Sequence, residues 1–206
     1  TLRHDMQPAS HTSKSDHSPR GTAVLGGSFN PPHRTHVTLA REALLRLPIH
    51  ELRAIPSGDH PHKRGRDMAS APHRVAMTRL AFAELPQIVV DERELHRSGP
   101  SFTVDTLAEL AAEAPGVPLF FLIGSDNLPL LPTWHQHHRL LELATVVTFP
   151  RKGYPILAGD LEELDLSVYW GPAQVVTTKK AFGPLLPADF AGYDLAAAPR
   201  LLIRSR

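Results

Sequence analysis

The chain has 206 residues, of which 42% are hydrophobic and 21% charged, a composition typical of a soluble globular protein. Its 22 basic and 21 acidic residues almost cancel, so no overall field favours nucleic acid or an anionic membrane as a partner. The absence of cysteine excludes disulfides, thiolate metal sites and cysteine nucleophiles. No apolar run approaches the roughly 18 residues that cross a bilayer. With no signal-peptide core near the N-terminus, these features predict a cytoplasmic protein.

Residues 1–20 are rich in Ser, His, Pro and Lys and contain almost no apolar side chains. This composition predicts a disordered N-terminal extension, or residues added for expression. Residues 21–206 are predicted to form a single domain. The sequence leaves open whether that domain assembles as a homo-oligomer.

Strand and helix patterns alternate along this domain. Apolar runs predict strands at 22–25, 52–55, 88–90, 119–123 and 145–149, and a last strand at 201–203. Helical periodicity predicts helices at 35–47, 70–85, 103–114 and 135–143, with Ser70 as a cap. Such alternation predicts a Rossmann-like α/β fold, a doubly wound parallel sheet with helices on both faces.

The loop after the first strand carries the clearest chemistry, reading G-G-S-F-N-P-P-H-R-T-H over residues 26–36. Gly26 and Gly27 let the backbone approach a bulky polyphosphate closely. The loop leads into a helix N-terminus, which attracts anions. His33 and His36 are three residues apart, so they can face the same way and act as cationic donors to phosphate. The segment therefore suits a nucleoside triphosphate.

Other nucleotide motifs are missing. The chain contains neither G-x-x-x-x-G-K-[ST] nor G-x-G-x-x-G, which argues against a P-loop NTPase and against an NAD-dependent dehydrogenase. No nearby carboxylate completes a metal-ligand set around the two histidines, so no protein-held metal is predicted.

The loop resembles the motif G-G-T/S-F-D-P-x-H-x-G-H of the nucleotidyltransferase superfamily. Later segments resemble bacterial nicotinate-nucleotide adenylyltransferases in order and spacing. These segments are P-H-K at 61–63, D-E-R-E-L at 91–95, S-F-T-V-D-T-L at 101–107, F-L-I-G-S-D at 121–126, P-T-W at 132–134 and P-R-K-G-Y at 150–154. The segment 91–95 is equally consistent with a structural role at a charged strand end.

The resemblance implies transfer of the adenylyl group of ATP to nicotinate mononucleotide, which yields nicotinate adenine dinucleotide and pyrophosphate in NAD biosynthesis. ATP would bring Mg²⁺ on its phosphates. The implied catalytic residues are His33, His36 and Lys63. The implied ATP site comprises Gly26, Gly27, Ser28, Phe29, His33, His36, Lys63, Gly124 and Ser205. The implied mononucleotide site comprises Ser28, Phe29, Thr103, Asp126, Trp134 and Arg151.

Individual roles follow from the resemblance. The two histidines would hold the ATP phosphates, with His36 nearest the α-phosphate, and Lys63 would reach the β- and γ-phosphates. Thr103 would help bind the pyridine carboxylate. Trp134 would stack on the pyridinium ring, where a cation over an indole is favourable, and Arg151 would bind the mononucleotide's phosphate.

Two alternatives remain at this stage. The acceptor could be nicotinamide mononucleotide or phosphopantetheine, because acid-versus-amide preference depends on local N–H groups near Thr103. The chain could also be a non-catalytic nucleotide-binding protein that has kept the fold.

The chain departs from the family pattern at three places, of which the first is mild and the other two support the non-catalytic alternative. Asn30 replaces the usual Asp, and Thr35 replaces the Gly of H-x-G-H, where added side-chain atoms can crowd ATP. The family's late I-S-S-T-x-x-R segment is matched by L-I-R-S-R at 202–206, with Ser205 aligned and the final Arg absent. Either the pattern is truncated here or part of the ATP site is missing.

Overall fold

The computed structural model describes residues 20–58 and 68–149, together with the backbone of two short strands nearer the C-terminus. The strands are β1 (Gly21–Gly27), β2 (Ile49–Pro56), β3 (Ile88–Val90), β4 (Leu119–Gly124), β5 (Thr145–Phe149), β6 (Gln174–Val175) and β7 (Leu201–Ile203). The helices are α1 (Arg34–Arg46), α2 (Ala71–Ala81), α3 (Arg93–His96), α4 (Thr103–Glu113) and α5 (His137–Leu143), with a 3-10 helix at Ser125–Thr133. The prediction of disorder for residues 1–20 lies outside the described residues, except for Arg20.

The described strands form one seven-stranded sheet in the order β3-β2-β1-β4-β5-β7-β6. Strands β1 to β5 run parallel to one another, which confirms the predicted Rossmann-like core. The strand predicted at 201–203 is present as β7, but it runs antiparallel to β5. The sheet is therefore mixed at one edge and not parallel throughout.

Helices cover both faces of this sheet, as the side-chain pattern of β1 shows. Val24 points to one side, into a core cluster that includes residues of α4 and α5. Its neighbours Ala23 and Leu25 point to the other side, into a cluster that includes Ala40 of α1. Alternate residues of a strand face opposite sides of a sheet, so a strand buried on both faces must be apolar throughout.

The order of the strands fixes where a ligand can bind. From β1 the chain moves one way to β2 and β3, and it then returns to the other side of β1 for β4 and β5. The crevice therefore opens between the carboxyl ends of β1 and β4, the switch point at which open α/β sheets bind ligands.

Local sequence explains most helix ends. α1 follows Pro31 and Pro32 and stops at Arg46, because Leu47 precedes Pro48 and is extended at φ −97° and ψ 149°. α2 carries Pro72 in its first turn but ends at Ala81, four residues before the predicted end at Leu85.

No helix within the described ranges is long and apolar enough to span a membrane.

Two further predictions at helix starts need correction. Ser70 precedes α2 but makes no side-chain cap, since its hydroxyl is hydrogen-bonded to Nδ1 of His73 at 2.9 Å. α5 begins at His137 and not at His135, because Gln136 adopts a left-handed conformation at φ 49° that interrupts the helix.

Candidate functional site

Glycines end the two strands that meet at the switch point. The parallel pairing of β1 with β4 runs from Thr22 opposite Leu119 to Leu25 opposite Leu122. Beyond this pairing, Gly27 is the last residue of β1 and Gly124 the last residue of β4. Both glycines therefore lie at the mouth of the crevice, where the predicted nucleotide site lies.

These glycines differ in what surrounds them. A Cβ at Gly26 would meet no atom of the described residues within 4 Å, so none of these residues requires glycine there. A Cβ at Gly27 would lie 3.1 Å from the Phe29 ring, and one at Gly124 would overlap the Asp126 carboxylate. The open space at Gly26 is therefore the position where a ligand could approach the backbone.

The side chain of Phe29 faces the interior and not the crevice. It is 1% exposed and makes edge contacts with Phe82 at 6.2 Å and with His36 at 5.1 Å between ring centroids. Its backbone lies in the left-handed region, at φ 45°. Only the backbone of Phe29 can therefore contact a ligand, and its ring supports the loop and the histidine above it.

His33 and His36 lie together at the start of α1, as their spacing predicted. Their rings are 3.9 Å apart at an angle of 31°, and His33 is exposed. The backbone N–H of His33, the N-cap residue, donates to Nδ1 of His36 at 3.2 Å. A ring nitrogen that accepts a hydrogen bond carries no proton, so Nε2 is the protonated nitrogen of a neutral His36.

Helix α2 and the turn before it hold the loop from the other side. The Asn30 side chain accepts a hydrogen bond from the Ala69 N–H at 2.9 Å, a role that the oxygen of an Asp would also fill. The replacement of Asp by Asn therefore keeps this contact. The guanidinium of Arg74 donates to the Ser28 carbonyl at 2.9 Å.

A second group of predicted residues lies across β4. Thr103 is the first residue of α4, and its neighbour Phe102 stacks on His135 with ring centroids 4.3 Å apart. Trp134, half-buried at the end of the 3-10 helix, makes an edge-to-face contact with Phe121 at 6.0 Å between ring centroids. The Phe102–His135 contact brings the N-terminus of α4 beside the Trp134 segment, as one pocket would need.

The acidic segment after β3 is held in a network of ion pairs. Asp91 contacts Arg93 at 2.7 Å and Arg53 at 3.4 Å. Burial alone would raise the pKa of Asp91, but the hydrogen bonds and charge of Arg93, with the charge of Arg53, outweigh it and hold that pKa below its ordinary value. Glu94 accepts hydrogen bonds from Thr106 of α4 at 2.9 Å and from the Gly58 N–H at 3.4 Å. These contacts support the structural interpretation of the segment, which links β2 to α4.

No cluster of three or more His, Asp or Glu side chains suited to a metal ion occurs among the described residues. In that part of the chain, the polar groups at the sheet edge are backbone amides, two imidazoles, an indole, the hydroxyls of Ser28 and Thr103, and the Asp126 carboxylate. Such a set can bind and orient anions and planar rings.

The cytidylyltransferase-like family model matches residues 24–184, which include the glycine loop, both histidines and the Trp134 segment. The chain belongs to the cytidylyltransferase-like family. Within this family its resemblance to nicotinate-nucleotide adenylyltransferases is confirmed by curated relatives of that name.

Two of these relatives illustrate the similarity. The probable nicotinate-nucleotide adenylyltransferase of Albidiferax ferrireducens is 48% identical over 128 residues, covering 62% of this chain and 64% of that protein. The nicotinate-nucleotide adenylyltransferase of Bacillus subtilis is 35% identical over 150 residues, covering 70% of this chain and 79% of that protein. The matched region thus spans less than two thirds of the length of the Albidiferax protein and more than two thirds of the length of the Bacillus protein.

Solved structures agree on the fold. The Plasmodium falciparum nicotinic acid mononucleotide adenylyltransferase, in complex with NaAD, superposes with a TM-score of 0.61 at 21% identity and covers 70% of this chain and 71% of its own. A putative nicotinate-nucleotide adenylyltransferase from Vibrio parahaemolyticus superposes with a TM-score of 0.54 at 20% identity and covers 70% of this chain and 79% of its own.

Most of the predicted site residues come together at the carboxyl edge of the sheet. Three of them, Lys63, Arg151 and Ser205, lie outside the described residues, so their roles stay predictions. The described site residues lie at or beside four element ends: the carboxyl ends of β1 and β4 and the starts of α1 and α4. They are Gly26, Gly27, Ser28, Phe29, His33, His36, Thr103, Gly124 and Asp126. Trp134 comes directly after the 3-10 helix that follows β4.

One residue in contact with the loop was missed by sequence reasoning. Arg74 lies on the buried face of α2 with Val75 and Thr78, and only 4% of it is exposed. The helical spacing offered a signal, because Arg74 and Thr78 are four residues apart and therefore share a face of α2 with Val75. An arginine on a buried helix face is unusual.

Proposed function

We propose that this chain transfers the adenylyl group of ATP to nicotinate mononucleotide and releases pyrophosphate. One observation carries this proposal: the two stacked histidines at the start of α1 follow the glycines at the end of β1, where the described residues leave space beside Gly26. Relatives named nicotinate-nucleotide adenylyltransferase support the choice of reaction.

ATP would bind by its triphosphate over the Gly26–Gly27 strand end and the first turn of α1. Gly26 leaves room for close approach, and the first N–H groups of a helix attract phosphate. Nε2 of His36 would donate to the α-phosphate, and the exposed His33 would contact the remaining phosphates. We also propose that Lys63 reaches the β- and γ-phosphates and that Ser205 contacts ATP.

The mononucleotide would bind across β4, between the N-terminus of α4 and Trp134. The half-buried indole would stack on the pyridinium ring, and its edge-to-face contact with Phe121 holds it in place. Thr103 and the N-terminal amides of α4 suit a pyridine carboxylate, which favours the acid over the amide. Asp126 would line the pocket, and Arg151 would bind the mononucleotide's phosphate.

The reaction needs no protein nucleophile. A phosphate oxygen of the mononucleotide attacks the α-phosphorus of ATP in line, the new P–O bond forms, and the bond to pyrophosphate breaks. The residues of this chain contribute alignment of the two substrates and hydrogen bonds to charge that builds on the α-phosphate. His36 is suited to the second task because the bond to its Nδ1 fixes the direction of the ring.

Mg²⁺ would enter with ATP and not from a protein-held site. Among the described residues no carboxylate and histidine cluster could hold the ion, whereas phosphate oxygens are ligands that Mg²⁺ prefers. When bound, the ion would neutralise charge on the leaving pyrophosphate. We propose ATP and nicotinate mononucleotide as the partners, in the cytoplasm, without nucleic acid or membrane.

A pyrophosphate-release assay with ATP, Mg²⁺ and a panel of acceptors tests this function. We expect turnover with nicotinate mononucleotide, slower turnover with nicotinamide mononucleotide, and none with phosphopantetheine. Equal or faster turnover with the amide would contradict the acid preference. Binding of ATP without turnover of any acceptor would contradict the activity and support a non-catalytic nucleotide-binding protein.

A further inference from the structure

Arg74 is a buried cation beneath the glycine loop. It lies in α2 with 4% of its surface exposed, and one of its terminal nitrogens donates to the Ser28 carbonyl at 2.9 Å. No carboxylate lies within salt-bridge distance of it among the described residues, and its Nε has no hydrogen-bond partner there. By contrast Arg79, five residues later on the same helix, is exposed and pairs with Glu92.

Burial of a guanidinium is unfavourable unless an anion lies near it, and no described residue supplies one for Arg74. Desolvation lowers the pKa of Arg74 from its ordinary value. A neutral amide side chain could hold one carbonyl oxygen without burying a charge, so the hydrogen bond to Ser28 alone does not account for an arginine. A positive charge here becomes favourable when an anion binds on the far side of the loop, because the interaction is only weakly screened by solvent.

The hydrogen bond also fixes the orientation of one peptide. Across the trans peptide between Ser28 and Phe29, the carbonyl and the N–H point in opposite directions. Since Arg74 draws the Ser28 carbonyl inward, the Phe29 N–H points outward, away from the guanidinium. Within the described residues no backbone carbonyl accepts a hydrogen bond from this N–H.

Phe29 is well suited to keep that orientation. Its ring is buried between Phe82 and His36, and its φ of 45° is unfavourable for a residue with a side chain. The buried ring and the Arg74 hydrogen bond hold the backbone in this conformation together. Such preorganised N–H groups are effective phosphate donors because they need no rearrangement when the anion arrives.

We propose that Arg74 is a positioning residue of the phosphate site: it directs the Phe29 N–H toward the triphosphate and supplies a buried positive charge behind the loop. The inference rests on the proposed function only in its choice of ligand, a polyphosphate. Arg74 does not touch the ligand and acts through the Ser28–Phe29 peptide.

Inorganic tripolyphosphate is the probe, because it isolates the phosphate contribution from the base and the ribose. Arg74→Gln replaces the guanidinium with a shorter neutral amide and removes the charge, Arg74→Lys keeps the charge, and Arg79→Gln is the matched control on the same helix. By calorimetry we expect Arg74→Gln to weaken tripolyphosphate at least about tenfold, as loss of one nearby charge should. Arg74→Lys should recover part of the affinity, and Arg79→Gln should match the unchanged protein.

Steady-state kinetics separate positioning from a general structural role. In Arg74→Gln we expect a higher KM for ATP and a lower kcat, with the KM for nicotinate mononucleotide little changed. If both substrates lose affinity equally, or if Arg74→Gln binds tripolyphosphate as tightly as the unchanged protein, the proposal is wrong.

A third measurement needs no variant and so does not depend on whether Arg74→Gln folds. In amide NMR spectra of the unchanged protein, tripolyphosphate should move the Phe29 amide proton downfield, as a new hydrogen bond to phosphate does. Binding that leaves this proton unmoved would overturn the inference and leave the proposed function intact. A protein that binds neither tripolyphosphate nor ATP would contradict the proposed function itself.

Discussion

The backbone N–H of His33 donates to Nδ1 of His36 at 3.2 Å, and the two rings stack 3.9 Å apart. One imidazole therefore both caps the first turn of α1 and presents its protonated nitrogen, Nε2, in a fixed direction. A glutamine at this third helical position could make the same cap, because its side chain reaches back to the N-cap N–H in the capping-box arrangement.

His36 is predicted to act in catalysis beyond its structural role. His36→Ala should lower kcat by about 10²–10³-fold, the range found when one donor to a developing oxyanion is removed. The affinity for nicotinate mononucleotide should change little. Pre-steady-state turnover with ATP and calorimetry with the mononucleotide measure the two quantities.

His36→Gln is the matched control for the cap. It should keep the melting temperature near that of the unchanged protein and still lose kcat, whereas His36→Ala should lose both. A glutamine variant with near-normal kcat would remove His36 from the catalytic residues.

Gly26 and Gly27 should respond differently to alanine. A Cβ at Gly26 meets no atom of the described part of the chain within 4 Å, so Gly26→Ala should fold normally. If ATP packs on that strand end, overfilling the contact should cost about 1–3 kcal/mol, which is about a five- to hundredfold loss of ATP affinity. Gly27→Ala should instead lower the melting temperature, because its Cβ would lie 3.1 Å from the Phe29 ring. Unchanged ATP affinity in Gly26→Ala would show that the nucleotide lies elsewhere.

Thr35 is exposed on the first turn of α1, where the family motif has glycine. The threonine side chain is stiff and adds atoms where ATP is expected to lie. Thr35→Gly should therefore lower the Kd for ATP, even if the freer backbone costs up to about 1 kcal/mol of stability. A Kd that rises in this variant would show that the Thr35 hydroxyl donates a useful hydrogen bond to ATP.

Trp134 should matter for the mononucleotide and hardly for ATP. Stacking on an aromatic side chain is worth about 1–3 kcal/mol per base in nucleic-acid sites, so Trp134→Ala should weaken mononucleotide binding by about five- to a hundredfold. Trp134→Phe, which keeps an aromatic face against Phe121, should retain part of that affinity. Calorimetry decides: unchanged mononucleotide affinity with a lower melting temperature would make Trp134 a core residue only.

The sequence predicts what depends on local pattern. The position of the histidine pair follows from its spacing at a helix start, and the five parallel strands follow from apolar runs between helices. The antiparallel direction of β7 could not be predicted, because a run of three apolar residues is the same in either direction.

Contacts between segments that are distant in sequence could not be predicted either. The sequence suggested that Phe29 contacts the ligand, but it could not show that its ring faces the core and leaves only the backbone. The short helix α3 was not predicted, because four residues give no periodicity. The ion pairs around it join segments distant in sequence: Asp91 and Glu92, just before α3, pair with β2 and α2, and Arg93 within it pairs with α4.

The central claim is direct transfer of the adenylyl group from ATP to the mononucleotide, without an enzyme-bound intermediate. The most direct measurement uses ATP made chiral at the α-phosphorus with sulfur and follows the configuration of the dinucleotide formed with nicotinate mononucleotide. A single in-line displacement predicts inversion at that phosphorus. Retention of configuration would require two displacements and a covalent intermediate on the protein, and it would contradict the account.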